Sequence, residues 1–132
     1  FYSSGNKDCH VILRGGSKPN YSKEDIDQTA EILKSNNLVE SIMVDMSHGN
    51  SSKQHKNQLI VCEDIANQIS SGESRITGVM IESNIEEGNQ SAKDLDNLVY
   101  GKSITDACIN WEDTKICLNQ LAEAVSARQN KV

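Results

Sequence analysis

Four residues that can take part in chemistry stand where apolar runs of this sequence end: Arg14, Asp45, His48 and Glu82. His48 with the carboxylates of Glu82 and Asp106 gives an imidazole and two carboxylates, a set that suits a divalent transition metal of borderline softness and leaves coordination positions open for water or substrate. Arg14 is followed by Gly15-Gly16, and a planar guanidinium beside an unobstructed backbone suits a phosphate or a carboxylate. The residue types therefore predict a metal site beside an anion site.

Each of these residues, taken singly, also has a purely structural interpretation. His48 can cap a following helix, Glu82 can be a solvated loop residue, and Arg14 can pair with a surface carboxylate. Asp106 lies in Ser103-Ile104-Thr105-Asp106, which matches a capping box and then needs no other role. The argument for a site depends on these residues coming together at one place.

Three short apolar runs are predicted as the strands that position the site. They are Val11-Ile12-Leu13, Ile42-Met43-Val44 and Gly78-Val79-Met80-Ile81. Such runs, without polar alternation, are typical of parallel strands buried on both faces. The carboxyl ends of parallel strands meet at one edge, which in a (β/α)8 barrel is the catalytic face. Because three strands alone leave unpaired edges, we predict part of a larger α/β protein.

Two helices are predicted between and after the first strands. The first begins at the capping box Ser22-Lys23-Glu24-Asp25 and ends at Asn36-Asn37. Its apolar positions are Ile26, Ala30 and Leu33. The second is capped within Ser51-Ser52 and ends at Gly72. Its apolar positions are Leu59, Cys62, Ile65, Ala66 and Ile69.

A third helix is predicted near the end of the sequence. It begins near Asn110, with Asp113 three residues on. Its apolar positions are Leu118, Leu121, Ala122 and Val125. The preceding segment, 83–110, is long for a connection, and we predict a short helix within it at 103–109.

Composition and charge exclude some classes of protein. The chain has 132 residues, with 13 Lys and Arg against 19 Asp and Glu, and 4% aromatic residues. An acidic chain lacks the basic surface that binds nucleic acid, and it has no apolar run of about 18 residues to cross a bilayer. We therefore expect a globular chain with no nucleic-acid partner and no membrane partner.

The cysteines indicate a cellular compartment. The four cysteines are Cys9, Cys62, Cys108 and Cys117. No two of them have C-x-x-C spacing, and they are too few for a disulfide framework. We interpret all four as reduced thiols, buried or partly buried, in a cytoplasmic protein. Nothing at the amino terminus matches a signal peptide.

The sequence also resembles a known family. The blocks that carry the resemblance are Asp8–Gly16, Asp45–Gln54, Gly78–Ser83, Glu87–Gln90 and Tyr100–Cys108. In this order they closely resemble the carboxyl-terminal part of the type I 3-deoxy-D-arabino-heptulosonate 7-phosphate (DAHP) synthases. Together these blocks are specific, whereas any one of them alone is weak.

The resemblance implies a fold and a reaction. The fold is a (β/α)8 TIM barrel of about 250 residues, in which residues 1–132 form the carboxyl-terminal part of one domain and supply about the last three βα units. The reaction is a metal-dependent condensation of phosphoenolpyruvate with erythrose 4-phosphate, which gives DAHP and phosphate at the start of the shikimate pathway of aromatic amino acid biosynthesis.

The resemblance also implies roles for particular residues. His48, Glu82 and Asp106 match the family's ligands to a divalent metal ion, which is Mn, Fe, Co or Zn. Arg14 matches a residue that binds phosphoenolpyruvate, and His48 lies close to that substrate as a catalytic residue. We expect Lys102 and Asp45 to support the ligands from behind.

Parts of the family's active site are missing from this sequence. The fourth metal ligand, a cysteine, and a Lys-Pro-Arg-Thr motif for erythrose 4-phosphate belong to the amino-terminal half of the family. We therefore expect the chain to be inactive alone, to work with the amino-terminal part of the same enzyme, and to form a homo-oligomer. Two alternatives stay open: a non-catalytic α/β module that binds metal or phosphate, and a related phosphoenolpyruvate-using synthase that acts on another aldose phosphate.

Overall fold

The computed structural model describes residues 1–6 and 8–131 and has an α/β architecture. Within these residues the strands are β1 (Val11–Leu13), β2 (Ile42–Asp45), β3 (Ile76–Met80), β4 (Glu86–Asn89) and β5 (Lys102–Ser103). The α-helices are α1 (Lys23–Ser35), α2 (Asn57–Ser70) and α3 (Trp111–Gln129), and a 3-10 turn spans Leu95–Asn97. Strand and helix therefore alternate as predicted up to β3, and β4 and β5 then come before α3.

The first three strands form a parallel sheet in the order β1-β2-β3. Leu13 pairs with Val44, and Val44 pairs with Val79, so the three strands run side by side to a common carboxyl edge. β3 begins at Ile76, two residues before the predicted start at Gly78. β4 and β5 form a separate parallel pair. The prediction of three parallel strands is confirmed.

The hydrophobic core lies between one face of this sheet and the helices. Its buried side chains include Leu13, Ile26, Leu33, Ile42, Val44, Val61, Ile65, Ile69 and Ile76. Ile12 points to the opposite face from Leu13, and it is 51% exposed. The expectation that β1 is buried on both faces is therefore wrong for the described chain, because the helices pack on the face that carries Leu13.

Helix α1 forms as predicted, because the capping box and the apolar spacing that predict it lie at its start and within the helix itself. The side chain of Ser22 accepts a hydrogen bond from the Asp25 backbone, and the Asp25 carboxylate accepts one from the Ser22 backbone. This capping box satisfies amide groups that have no partner within the helix. The predicted positions Ile26, Ala30 and Leu33 are buried, and the helix ends at Asn36.

Helix α2 begins later than predicted. Its first residue is Asn57, because Ser52 and Lys53 have φ angles of 54° and 59°, which are left-handed and cannot continue into a right-handed helix. The predicted apolar face is confirmed, with Leu59 partly buried and Cys62, Ile65, Ala66 and Ile69 buried. Gly72, at φ 119°, follows the helix end as predicted.

Helix α3 begins at the predicted cap and buries part of the predicted face: Leu121 and Val125 pack against the core as predicted. The Asn110 side chain accepts a hydrogen bond from the Asp113 backbone. The positions that pack against the core are Thr114, Cys117, Leu121, Ala124 and Val125. Leu118 and Ala122 are exposed, so their predicted burial is wrong. The face of α3 that packs against α2 includes Cys117. Successive residues of an α-helix are rotated by about 100°, so the side chain of Leu118 points away from this face.

The predicted short helix at 103–109 is absent from the described structure. Lys102–Ser103 is a strand, and Cys108 exchanges backbone hydrogen bonds with Gly88 of β4. Ser103 accepts a hydrogen bond from the Thr105 backbone within a tight turn rather than capping a helix. The capping-box interpretation of Asp106 is therefore wrong, because tertiary pairing with β4 holds this segment extended.

The cysteines have free thiols throughout the described chain. Cys62, Cys108 and Cys117 are buried as expected, and burial raises the pKa of the Cys108 thiol. Cys9 is exposed, which corrects the expectation of burial, because it lies ahead of β1 and outside the core. Among the described residues, no helix combines the length and the apolar character needed to span a membrane.

A charge network joins the start of β3 to α1. Arg75 Nη2 lies 2.6 Å from Glu73 Oε2 and 2.5 Å from Asp27 Oδ1. The hydrogen bond from Arg75 holds the pKa of Glu73 below its usual range, and those from Lys23 and Arg75 lower the pKa of Asp27. Both ionised carboxylates are therefore favoured in the folded state, so their contribution to stability is present above their ordinary pKa and is lost as the pH falls through the lowered values.

We expect Arg75→Met to lower the melting temperature at pH 7 by a few degrees, because two carboxylates lose their shared cation. The difference from the unchanged protein should shrink as the pH falls below about 4, where carboxyl groups protonate. Thermal unfolding followed by circular dichroism between pH 2 and pH 7 measures this. Arg75→Lys keeps the charge and is the control, and a difference independent of pH would contradict the assignment.

Candidate metal centre

A cavity of about 240 Å³ lies at the carboxyl edge of the sheet. Its lining includes Arg14, His48, Lys53, His55, Glu82 and Asp106. The residues that the sequence singles out from three separate strands thus come together at one place. The physical reason is the parallel register, which brings the ends of β1, β2 and β3 to the same edge.

The position of His48 is set by a buried carboxylate. His48 lies in a tight turn after β2 with a left-handed φ of 45°. Its Nδ1 is 2.7 Å from Oδ2 of Asp45, a residue that is only 2% exposed. An ionised carboxylate only accepts hydrogen bonds, so Nδ1 carries a proton, and in the neutral ring the lone pair is then on Nε2. That lone pair faces the cavity, where Nε2 lies 3.5 Å from Glu82 Oε1.

Glu82 is held at both its side chain and its backbone. Ser47 Oγ donates a hydrogen bond of 2.6 Å to Glu82 Oε2, which leaves Oε1 directed at His48. The fully buried side chain of Gln58 donates to the Glu82 carbonyl at 3.0 Å and accepts from the Glu82 backbone N–H at 2.8 Å. Gln58 therefore fixes the chain at the point where β3 ends.

Asp106 reaches the cavity from the loop that follows β5. Asn89 Nδ2 donates a hydrogen bond of 2.8 Å to the Thr105 carbonyl, which supports the loop from β4. One ligand atom each from His48, Glu82 and Asp106 lies within 4.8 Å of the others. An uncharged ring nitrogen and two carboxylate oxygens at this spacing fit a divalent cation, and Asp45 supplies the carboxylate that commonly orients a metal-binding histidine.

Asn50 and two glycines hold the ends of β1 and β2 together. The buried Asn50 side chain donates to the carbonyls of Leu13 and Asp45, at 3.0 and 2.7 Å, and accepts from the Asn20 backbone. Gly15 has a φ angle of 73° and packs closely on Gly49. A Cβ atom on Gly15 would lie 2.6 Å from the backbone of Gly49. This contact requires a glycine at position 15 and fixes the backbone beside Arg14.

Arg14 lies at the mouth of the cavity with an available guanidinium group. Its Nε is 4.0 Å from Asp45 Oδ2, and its side chain is 62% exposed. Lys53 adds a second cation to the lining. These two side chains can therefore pair with an anion although the net charge of the chain is −6.

Sequence reasoning missed several residues of the site. Lys53 and His55 line the cavity, and Asn50 and Gln58 hold its walls. Of these four residues, only Gln58 could have been identified from the sequence, because it is a polar residue on the buried face of an amphipathic helix. Lys102 lies in β5, outside the described lining of the cavity.

The fold and the site define an α/β protein with a cluster of possible metal ligands at the carboxyl edge of a parallel sheet. Residues 1–119 match the DAHP synthetase I family, and the chain belongs to this family.

Relatives in this family are similar over nearly all of the chain. The Phe-sensitive phospho-2-dehydro-3-deoxyheptonate aldolase of Escherichia coli K12 is 55% identical over 127 residues, which are 96% of this chain and 36% of that protein. The Trp-sensitive enzyme of Salmonella typhi is 49% identical over 97% of this chain and 37% of its own length. The chain thus spans little more than a third of the relatives that it matches.

A solved structure is similar as well. The phospho-2-dehydro-3-deoxyheptonate aldolase of Francisella tularensis matches with a TM-score of 0.91 and 47% identity. The match covers 97% of this chain and 37% of that one. The described fold therefore corresponds to one part of a larger enzyme chain.

We expect Gln58→Leu to destabilise the protein by about 2–4 kcal/mol, because two buried backbone groups of Glu82 lose their partners. Chemical denaturation gives the free energy of unfolding. Gln28→Leu, at an exposed position of α1, is the matched control and should change stability little. Equal effects of the two substitutions would show that the paired hydrogen bonds are not the cause.

Proposed function

We propose that the protein to which this chain contributes is a DAHP synthase, which condenses phosphoenolpyruvate with erythrose 4-phosphate and releases phosphate. The observation that carries the proposal is the cluster of His48, Glu82 and Asp106 within 4.8 Å at the carboxyl edge of a parallel sheet. Family membership supports the reaction, and the enzyme names of the relatives agree with it. This reaction is the first step of the shikimate pathway.

We further propose that the chain supplies about the last three βα units of a (β/α)8 barrel. Its parallel sheet packs helices on one face and leaves Ile12 exposed on the other. An exposed apolar strand residue of this kind fits the interior of a barrel that other strands complete. The partner that completes it is the amino-terminal part of the same enzyme, and this agrees with the share of the relatives that the chain spans.

In this proposal His48 Nε2 and the carboxylates of Glu82 and Asp106 hold a divalent cation, which is Mn, Fe, Co or Zn. Such an ion supplies Lewis-acid polarisation of a substrate oxygen or of water. Asp45 keeps the His48 proton on Nδ1, and Ser47 orients Glu82. These two hydrogen bonds preorganise the ligands before substrate arrives.

Arg14 binds the phosphate or the carboxylate of phosphoenolpyruvate in this proposal. Its exposed guanidinium has a weak contact with Asp45 at 4.0 Å, so its donors are available to a substrate anion. A guanidinium matches either group with two parallel hydrogen bonds. Because Arg14 and His48 line the same cavity, the bound substrate lies beside the metal ligands.

We expect His48→Ala or Glu82→Gln in the full-length enzyme to abolish turnover, because the first removes the ring nitrogen and the second the negative charge of one member of a three-residue set. Phosphate release from phosphoenolpyruvate, assayed with erythrose 4-phosphate and added Mn²⁺, measures the activity, and circular dichroism checks the fold. A five-carbon aldose phosphate in a parallel assay tests the alternative substrate class. Full activity in either variant would remove that residue from the site.

We expect Arg14→Ala to raise the KM for phosphoenolpyruvate roughly tenfold to a hundredfold, because charge-assisted hydrogen bonds are lost. The KM for erythrose 4-phosphate should change much less. Steady-state kinetics with each substrate varied in turn measures both constants. Arg128→Ala, on α3, is the matched control, and equal effects of Arg14→Ala on the two KM values would contradict the assigned role.

A further inference from the structure

The three proposed ligands differ in how firmly the structure holds them. His48 and Glu82 are half-buried and lie directly after strands of the main sheet, whereas Asp106 is exposed and lies on a loop. The loop that carries Asp106 is hydrogen-bonded to β4. Gly88 and Cys108 exchange hydrogen bonds of 2.9 and 3.1 Å, and Asn89 supports the loop as described above. The buried Ile109 donates a backbone hydrogen bond to the Glu82 carbonyl at 3.0 Å and anchors the chain after this loop, so the position of Asp106 depends on β4 on one side and on Ile109 on the other.

A cluster of charges fixes β4 to the segment that follows His48. Lys56 Nζ lies 2.6 Å from Oε2 of Glu87 on β4 and 2.8 Å from Oδ2 of Asp113 on α3. His55 Nε2 lies 3.1 Å from the other oxygen of Glu87. Hydrogen bonds to Asp113 and Glu87 raise the pKa of Lys56, so the ammonium stays charged at neutral pH.

The chain connection makes this cluster relevant to the metal ligands. Residues 49–56 run as consecutive turns from His48 to Lys56, and the Lys53 N–H donates to the His48 carbonyl at 2.9 Å. Lys56 at one end of this segment thus pairs with β4, while His48 at the other end faces Asp106. An isolated surface ion pair stabilises little, but one cation between two carboxylates on different elements restricts how those elements move apart.

We propose that Lys56 is a positioning residue that keeps Asp106 within ligand distance of His48 by pairing with Glu87 on β4. The proposal rests on the metal site proposed above. Lys56 itself lies outside the described lining of the cavity, so it acts through Glu87 and the loop that β4 supports.

The test measures the affinity of the full-length protein for Mn²⁺ alone, by equilibrium dialysis without substrates. We expect Lys56→Met to weaken Mn²⁺ binding about tenfold, as is typical when a residue behind a metal ligand is removed. Lys56→Arg keeps a cation between the two carboxylates and should recover most of the affinity. Lys115→Met removes an exposed lysine that pairs with Glu112 on α3, and it should bind Mn²⁺ like the unchanged protein.

A double-mutant cycle separates this role from a general loss of structure. In a protein that already carries Asp106→Ala, Lys56→Met should weaken Mn²⁺ binding little further, because the ligand through which it acts is gone. An equal further loss would show that the effect does not pass through Asp106 and would overturn the proposal. Glu87→Gln breaks the same pair from the other side, and it takes the place of Lys56→Met if that variant does not fold.

The remaining outcomes distinguish this proposal from the metal site itself. If the unchanged protein binds Mn²⁺ and Lys56→Met binds it equally well, the positioning role is wrong and the metal site stands. If the unchanged protein does not bind Mn²⁺, the metal site fails and the positioning role fails with it.

Discussion

The buried carboxylate of Asp45 is the group on which the rest of the site depends. A charge that is only 2% exposed must have partners, since an unpaired buried charge destabilises a fold strongly. Its partners here are the His48 ring at 2.7 Å and the Ser47 backbone N–H at 2.8 Å, both in the turn that follows β2. Satisfying one buried charge therefore shapes the turn, selects the histidine tautomer and directs Nε2 into the cavity.

Two buried amide side chains fix the backbone at the ends of the neighbouring strands. Asn50 bonds the carbonyls at the ends of β1 and β2, and Gln58 bonds both backbone groups of Glu82 after β3. Strand ends normally leave such groups to water, so each amide takes the place of solvent and fixes the geometry at the same time. The close contact of Gly15 with Gly49 adds a steric constraint at the same edge. Where the walls of the cavity come from the main sheet, buried hydrogen bonds and close backbone packing hold them in place.

The third proposed ligand depends on a different part of the structure. β4 and β5 do not belong to the main sheet, and they pair with each other over only a few residues. Asp106 itself is exposed on a loop that hydrogen-bonds to β4, and the chain re-enters the core only at Ile109, whose backbone N–H donates to the Glu82 carbonyl at 3.0 Å. Electrostatic contacts at the surface, notably those of Lys56, bear on the geometry of this side of the site.

The sequence by itself determined what depends on near neighbours along the chain. It predicted the three parallel strands, the polar residues at their ends and all of α1, because the capping box of Ser22 and the spacing of Ile26 are local signals. The family blocks matched Asp106 to a metal ligand, whereas the local pattern around it indicated only a helix cap. Only the tertiary structure decided the late start of α2, the buried face of α3, the extended segment around Cys108 and the Lys56 cluster. Those features arise from contacts between segments distant in sequence, as between Lys56 and Asp113, and a local pattern carries no information about such pairs.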